Sequence, residues 1–278
     1  MKLDYFTLLS PSPVYLNGIG SIKSPTLNEI SKLTYNLYQY YISVLLLDID
    51  SYYKNLEKDD YLYLNNFTDT EKEIILKIKK EYDDLEDNKK QNVLFYNILV
   101  FDKLVINTIV NAFNFFFVDE ITYNENDRVF LLMNGLKDND GNNVVTGIIH
   151  EGNYEDVIDL ILQRINIEKP KNEIKGGKPK NKIAEKIMKK MESATKIQKK
   201  KEDEKLELGN IISSVASHSK SLNIVNIWDA TIFQIYDQFT RNRLDDSYSM
   251  NSTSVSVWGD KDKKFNDTLW FSTIHRNQ

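Results

Sequence analysis

The sequence predicts a mainly α protein: a helical N-terminal domain carrying a small β-hairpin or sheet insert, a basic linker, a smaller helical C-terminal region and an extended tail. Three observations predict it. Apolar residues recur at three- and four-residue intervals over most of the chain. The interval falls to two only between about 118 and 149. A stretch rich in Lys, Gly and Pro then divides the apolar pattern in two. At 278 residues either one large core or two smaller ones can form, and the dividing stretch favours two. The boundaries drawn are 1–167 for the helical domain with its insert, 168–182 for a flexible basic linker, 183–244 for the C-terminal region and 245–278 for the tail.

In chain order, Ser10-Pro11-Ser12-Pro13 and Asn17-Gly18-Ile19-Gly20 combine helix breakers with residues that accept turn dihedrals, giving an extended arm or a short hairpin. Ser24-Pro25-Thr26 supplies stop and start signals. Leu27, Ile30, Leu33, Leu37, Tyr41, Val44 and Leu45 then make one amphipathic helix to about Leu56. Thr68 or Asp69 caps a second helix, with Glu71 and Glu73 in its first turn and Ile74, Ile75 and Ile78 as its buried stripe. A charged stretch from Glu81 to Lys90 separates it from a long apolar helix, Val93 to Val118, expected to form the core of the first domain. Ile121 and Tyr123, then Val129 and Leu131, alternate around Asn124-Glu125-Asn126-Asp127 as a hairpin, and Val144, Val145, Ile148 and Ile149 add a third strand. Asn153 caps a helix carrying Val157, Ile158, Leu160, Ile161 and Ile165, and the domain closes near Ile167.

Glu168 to Lys182 holds two prolines and Gly176-Gly177 among lysines, so it cannot bury enough apolar surface to offset the entropy of ordering. Beyond it Ile183, Ile187, Met191 and Ala194 form a narrow stripe on a lysine-rich helix, followed by the apolar set Ile211, Ile212 and Val215. The clearest pattern comes next. Val225, Trp228, Ile232, Ile235 and Phe239 are spaced three, four, three, four, widened by Ile224, Ile227, Phe233 and Tyr236, with Ser221 or Asn223 as cap. From Asp245 the chain is rich in Ser and Asn, with Val255, Val257, Trp258, Leu269, Trp270 and Phe271 as isolated anchors of an extended segment that orders against something.

Composition narrows the function. Without cysteine there is no disulfide framework, thiolate catalysis or cysteine-ligated metal. Met1, Lys2, Leu3 and Asp4 run straight into mixed sequence, so no secretory leader is expected. The apolar stretch at Val93 to Val118 contains Asp102 and Lys103, and a charge at mid-bilayer costs roughly 2.5–3.5 kcal/mol, so a buried helix is expected rather than a membrane span. Abundant Lys, Asn, Ile and Tyr with little Ala point to a low-GC genome. The net charge of −5 hides an asymmetry: Lys169 to Lys201 holds thirteen lysines against three glutamates, +10, leaving −15 for the rest. That run lacks arginine and interleaved aromatics, so neither base readout nor base stacking is supported, and nucleic acid is the less favoured partner for it.

Catalytic and metal signals are weak throughout. Gly18-Ile19-Gly20 has Lys23 where a dinucleotide fingerprint needs its third glycine. Gly177-Lys178 is followed by Pro179 where a phosphate loop needs a hydroxyl residue. Aligned on Gly141, the Asp138-Asp140 turn puts Leu136 and Gly147 at the outer calcium-ligand positions. His150, His218 and His275 lie far apart, without a second ligand at helical spacing. Pairs such as Asp48 and Asp50, or Asp245 and Asp246, read as surface features. No catalytic residue, metal ligand or cofactor is therefore assigned, and a non-enzymatic binding or assembly role is expected.

Two segments carry a resemblance: Ser10 to Ile30, SPSPVYLNGIGSIKSPTLNEI, and Ser221 to Arg241, SLNIVNIWDATIFQIYDQFTR. Together with the helix after Asn153 and the segment Leu208 to Ser217, they resemble tail assembly chaperones of long-tailed phages and prophages of low-GC Gram-positive bacteria, over about a third of the chain. The resemblance implies a helical protein of the host cytoplasm that binds the tape measure protein, or another tail protein, during tail morphogenesis and is nearly absent from the virion. It implies no catalytic residues, and the β-rich insert has no counterpart in it. Trp228, Ile232, Ile235, Tyr236 and Phe239 are the candidate client-binding or self-association surface, since aromatic faces are enriched at interfaces. Their equal alternative is the core of the C-terminal region. A structural virion component, either a head–tail connector or a baseplate part, is the competing function, with a nucleic-acid-binding phage protein behind it.

Overall fold

The computed structural model describes residues 1–57, 61–64, 67–90, 92–138, 141, 143–169, 206–260 and 263–274. The described residues are mainly helical, with one two-stranded and one three-stranded antiparallel sheet. The chain divides into two compact units, Met1–Ile167 and Glu168–Gln278. Most of the 168–182 linker and the whole lysine-rich helix expected around 183–194 lie outside the described residues.

The first unit opens with α1 (Tyr5–Leu9), capped by Asp4, whose carboxylate accepts from the Thr7 N–H at 2.9 Å. β1 (Val14–Leu16) and β2 (Gly20–Ile22) then form the hairpin that was one of the two readings of this segment. The turn requires left-handed backbone at Gly18, φ 73, and a Cβ on Gly20 would meet Asp119 and Leu132 side-chain atoms at 2.8 Å. The segment is no free arm. Arg164 lies across it, fully buried, with its guanidinium donating to the carbonyls of Thr7 at 2.7 Å, Ser10 at 3.1 Å and Ser12 at 3.0 Å. Gln163 adds a further tie, accepting from the Leu3 N–H at 2.8 Å.

The single helix expected from Leu27 to Leu56 is three helices: α2 (Leu27–Leu33), α3 (Tyr35–Leu45) and α4 (Ile49–Leu56). Thr34 breaks the first pair with φ 81, a left-handed residue that a continuous helix cannot contain. The break resets the phase of the apolar stripe. Leu37 is therefore exposed and Tyr38 is buried beside Phe116. Asp48 starts the third helix by accepting from the Ser51 N–H at 2.7 Å. After α5 (Tyr61–Leu64), Thr68 caps α6 (Asp69–Asp83) in a capping box with Glu71. Of its expected stripe only Ile75 is fully buried, packed with Leu62 and Phe67.

The long apolar helix is also interrupted. α7 (Asp87–Lys90) is followed by α8 (Tyr96–Leu99) and α9 (Lys103–Phe116), split where Asp102 acts as N-cap. Hydropathy hides such a break, because a buried capping carboxylate sits inside a run of otherwise apolar residues. β3 (Glu120–Asn124), β4 (Val129–Lys137) and β5 (Asn143–Ile149) then form the antiparallel insert in the order β3-β4-β5. Asn114 covers the open edge of β3 by bonding both the N–H and the carbonyl of Ile121. α10 (Tyr154–Arg164) closes the unit. Phe113, Phe130 and Tyr154 meet in its core, the first two edge to face at 5.2 Å.

In the second unit, α11 (Leu208–His218) precedes a 3-10 turn at Ile227–Asp229 and the long helix α12 (Ile232–Trp258). The tail expected to be extended from Asp245 is helical to Trp258. Ser and Thr do not interrupt it because their hydroxyls bond back one turn, Ser247 to the Arg243 carbonyl at 2.9 Å and Thr253 to the Ser249 carbonyl at 2.8 Å. Neither Gly nor Pro stands between Asp245 and Trp258, and Gly259 ends the helix at φ 75. Residues 263–274 then return along α12, with Phe265 beside Tyr248. A helix of this length spans about 40 Å.

Candidate functional site

The sequence places the candidate surface on one helical face from Val225 to Phe239, but α12 begins later. Thr231 caps it, accepting from the Gln234 N–H at 3.3 Å, while the Gln234 side chain accepts from the Thr231 N–H at 3.0 Å. This capping box fixes Ile232 as the first helical residue. The three-four spacing therefore runs across a helix boundary. Ile232 and Ile235 point inward and are fully buried, so they are core residues. Tyr236 and Phe239 are half-buried, with the Arg243 guanidinium 5.9 Å from the Phe239 ring. Of the five candidates only Trp228 is exposed, at 38%.

Trp228 belongs to a different surface. Residues 219–231 form a loop whose polar side chains bond its own backbone. Ser219 Oγ accepts from the Leu222 N–H at 3.1 Å, and Asn223 Oδ1 accepts from the N–H groups of Val225 at 2.9 Å and Asn226 at 3.2 Å. Asn226 answers with Oδ1 on the Asn223 N–H at 2.7 Å and Nδ2 on the Ser221 carbonyl at 3.0 Å. The Trp228 indole N–H donates to the Ile224 carbonyl at 2.9 Å, closing the loop on its own aromatic residue. With the main chain so held, Ile224 and Val225 stand in solvent at 57% and 82% exposure beside Trp228.

The arrangement has the features of a binding surface. Apolar side chains on a preorganised backbone lose little conformational entropy when covered, and the satisfied indole N–H lets the ring enter an apolar contact without an unpaired donor. A second exposed set follows on the same unit. Trp258 ends α12, and Trp270 and Phe271 pair edge to face at 4.8 Å in the returning segment. In the sequence these read as isolated anchors, and Ile224 and Val225 as helix-face residues. The alternating Ser and Asn of 219–226 are the signal that separates loop from helix, because these side chains compete for backbone hydrogen bonds.

The buried carboxylate Asp102 is the other polar centre. It accepts from the Tyr52 hydroxyl at 3.0 Å, the Tyr61 hydroxyl at 3.2 Å and the N–H groups of Leu104 at 2.9 Å and Val105 at 3.1 Å. Burial pushes its pKa up despite these four donors. Closed off from solvent and fully partnered, it caps α9. Of the histidines, His150 accepts from the Gly152 N–H at 3.0 Å, His218 lies 3.2 Å from Asp246 across α11 and α12, and His275 is outside the described residues. Among the described residues no three His, Cys, Asp or Glu side chains are grouped to hold a metal ion, and no helix is long and apolar enough to cross a membrane. Of the candidate calcium-type turn, Asp140 lies outside the described residues.

A family model described as the YomV second domain matches residues 198–275, a span that contains the 219–231 loop, α12 and the returning segment. No curated protein and no solved structure matches the chain.

Proposed function

We propose that this chain is a non-enzymatic phage protein that binds another protein through its C-terminal unit, and that it serves tail morphogenesis as a chaperone for the tape measure protein. The observation that carries the binding role is the 219–231 loop, where Ile224, Val225 and Trp228 are exposed on a backbone fixed by its own side chains. Trp is among the residues enriched at binding hot spots, and the exposed aliphatic side chains beside it extend the apolar surface. The match of residues 198–275 to the YomV second domain supports a phage-derived family and says nothing of tails. The step from phage protein to tail chaperone rests on the resemblance at Ser10 to Ile30 and Ser221 to Arg241. A tape measure protein is a long helical client, and an amphipathic helix laid on exposed aliphatic and indole side chains is a recurrent mode of recognition. The proposed place of action is the host cytoplasm.

Co-expression with the tape measure protein of the same gene neighbourhood tests the reading. A soluble complex is expected, reduced about tenfold or more by Val225→Ser with Trp228→Ala, in keeping with the loss of one hot-spot residue. Failure to solubilise the client, with the protein recovered instead from purified tails, would move the assignment to a structural virion component.

A further inference from the structure

One position in the first unit holds an arginine where the backbone favours glycine. Arg128 ends the β3–β4 turn at φ 54, in the left-handed region that crowds a Cβ against the carbonyl. The turn is fixed by Asn124, whose Oδ1 accepts from the N–H groups of Asn126 at 3.0 Å and Asp127 at 3.3 Å. The Arg128 carbonyl accepts from the hydroxyl of the buried Tyr96 at 2.6 Å. A side chain kept on such backbone, with the backbone itself tied to the core, invites a functional reading.

The Arg128 guanidinium lies over the Phe101 ring, 4.5 Å from its centroid. Seated on an aromatic face, a guanidinium keeps its N–H donors for a planar carboxylate. Among the described residues no ion pair engages it. Two carboxylates line the same groove, yet each is held elsewhere: Glu151 Oε1 accepts from Asn97 Nδ2 at 2.9 Å, and Asp127 Oδ2 from Asn124 Nδ2 at 2.7 Å. The groove has a volume of about 520 Å³, within the range of small-ligand sites, and Val100, Phe101 and Val129 give it an apolar wall. His150 lines it from the β5–α10 turn. Its Nδ1 accepts from the Gly152 N–H at 3.0 Å, which leaves Nε2 as the protonated nitrogen of the neutral ring. Gly152 makes room for that ring, since a Cβ there would meet it at 3.0 Å.

The charges in the groove select the ligand. A purely anionic molecule is attracted by Arg128 and repelled by Asp127 and Glu151, and a cationic one meets the reverse. A molecule carrying both charges satisfies both. We propose that this groove binds a small zwitterion of the amino-acid or short-peptide class, with its carboxylate on Arg128, its ammonium on Glu151 and Asp127, and its side chain on Val100, Phe101 and Val129. The site lies wholly in the first unit and is independent of the client surface on the 219–231 loop.

Isothermal titration of the full chain tests it, with leucine and leucyl-leucine each offered free, N-acetylated and C-amidated. At least one free form should bind with a dissociation constant on the order of 1 mM or tighter. Its blocked forms should bind about tenfold or more weakly, because each has lost one charge-assisted contact. Arg128→Gly separates loss of binding from loss of fold, since glycine takes φ 54 without strain. That variant should keep the circular dichroism of the unchanged chain, weaken the free ligand about tenfold or more, and bind the C-amide as well as the free form. In the Asp127→Asn, Glu151→Gln double variant the N-acetyl form should bind as well as the free one. Arg128→Lys, on the same backbone, keeps the charge without the paired donors and should have an affinity between those of the unchanged chain and Arg128→Gly. No binding of either free form, blocked forms that bind the unchanged chain as well as free ones, or discrimination that survives in the variants would overturn the proposal.

Discussion

Arg164 shows how one residue can tie two distant parts of the chain together. It stands in register with Val157 and Ile161 on α10, where an aliphatic side chain would ordinarily fill the core, and it directs its donors to carbonyls between Thr7 and Ser12. Charge-assisted bonds to several carbonyl dipoles stabilise a buried guanidinium without a carboxylate. Replacing it with alanine empties a fully buried site and removes the donor shared by these carbonyls, at a cost on the order of 3 kcal/mol. Hydrogen exchange on Arg164→Ala should show loss of protection at Leu8 and Ser10; unchanged protection would contradict the role. Asp102 is the matching anion. Because burial raises its pKa, the folded state binds the proton more readily than the unfolded chain, so this group's contribution falls as pH rises from the ordinary carboxylate range through the raised value. Asp102→Asn keeps an acceptor for the α9 cap and should flatten that slope. Asp102→Ala takes the shared acceptor from the Tyr52 and Tyr61 hydroxyls and the cap from α9, and should cost about 2–4 kcal/mol in denaturant unfolding.

At the scale of elements, the helices that carry the chain were legible and their interruptions were not. The cap at Thr68, one of the two residues the sequence offers, and the alternating strands around Asn124 follow from local side-chain chemistry. Thr34 and Asp102 break helices through backbone geometry and burial that only the folded context supplies. The start of α12 was missed because Val225 and Trp228 are in helical phase with Ile232 by coincidence of spacing, while the Thr231 box sets the true beginning. In the candidate site the same coincidence mixed two core residues, Ile232 and Ile235, with the exposed Trp228. The tail was misread because Ser and Asn lower helix propensity without forbidding a helix. Ser252→Pro distinguishes the two readings of that segment. On the helix it removes a hydrogen bond and clashes with the preceding turn, costing about 3 kcal/mol and lowering helical circular dichroism; an extended segment would tolerate it with no change in either.

For the whole molecule, each of the two units has buried apolar side chains of its own and others that face solvent, Phe6 and Tyr15 in the first and Val225 and Trp258 in the second. Burial separates the residues of the second unit that carry stability from those open to the proposed binding. Ile232→Ala should lower the unfolding midpoint through a core cavity costing about 2–5 kcal/mol, while Val225→Ser should leave the midpoint within the small range usual for surface changes and Trp228→Ala, which also removes the indole bond to the Ile224 carbonyl, should lower it by less than Ile232→Ala. Binding should follow the reverse order. The most direct measurement is therefore a quantitative pull-down of co-expressed tape measure protein by the intact chain and by the Val225→Ser, Trp228→Ala double variant, with thermal unfolding of both recorded in parallel. At least a tenfold loss of recovered client is expected from the double variant, the scale of one hot-spot residue, with an unfolding midpoint above the temperature of the pull-down. Equal recovery by both chains would contradict the binding role of the loop.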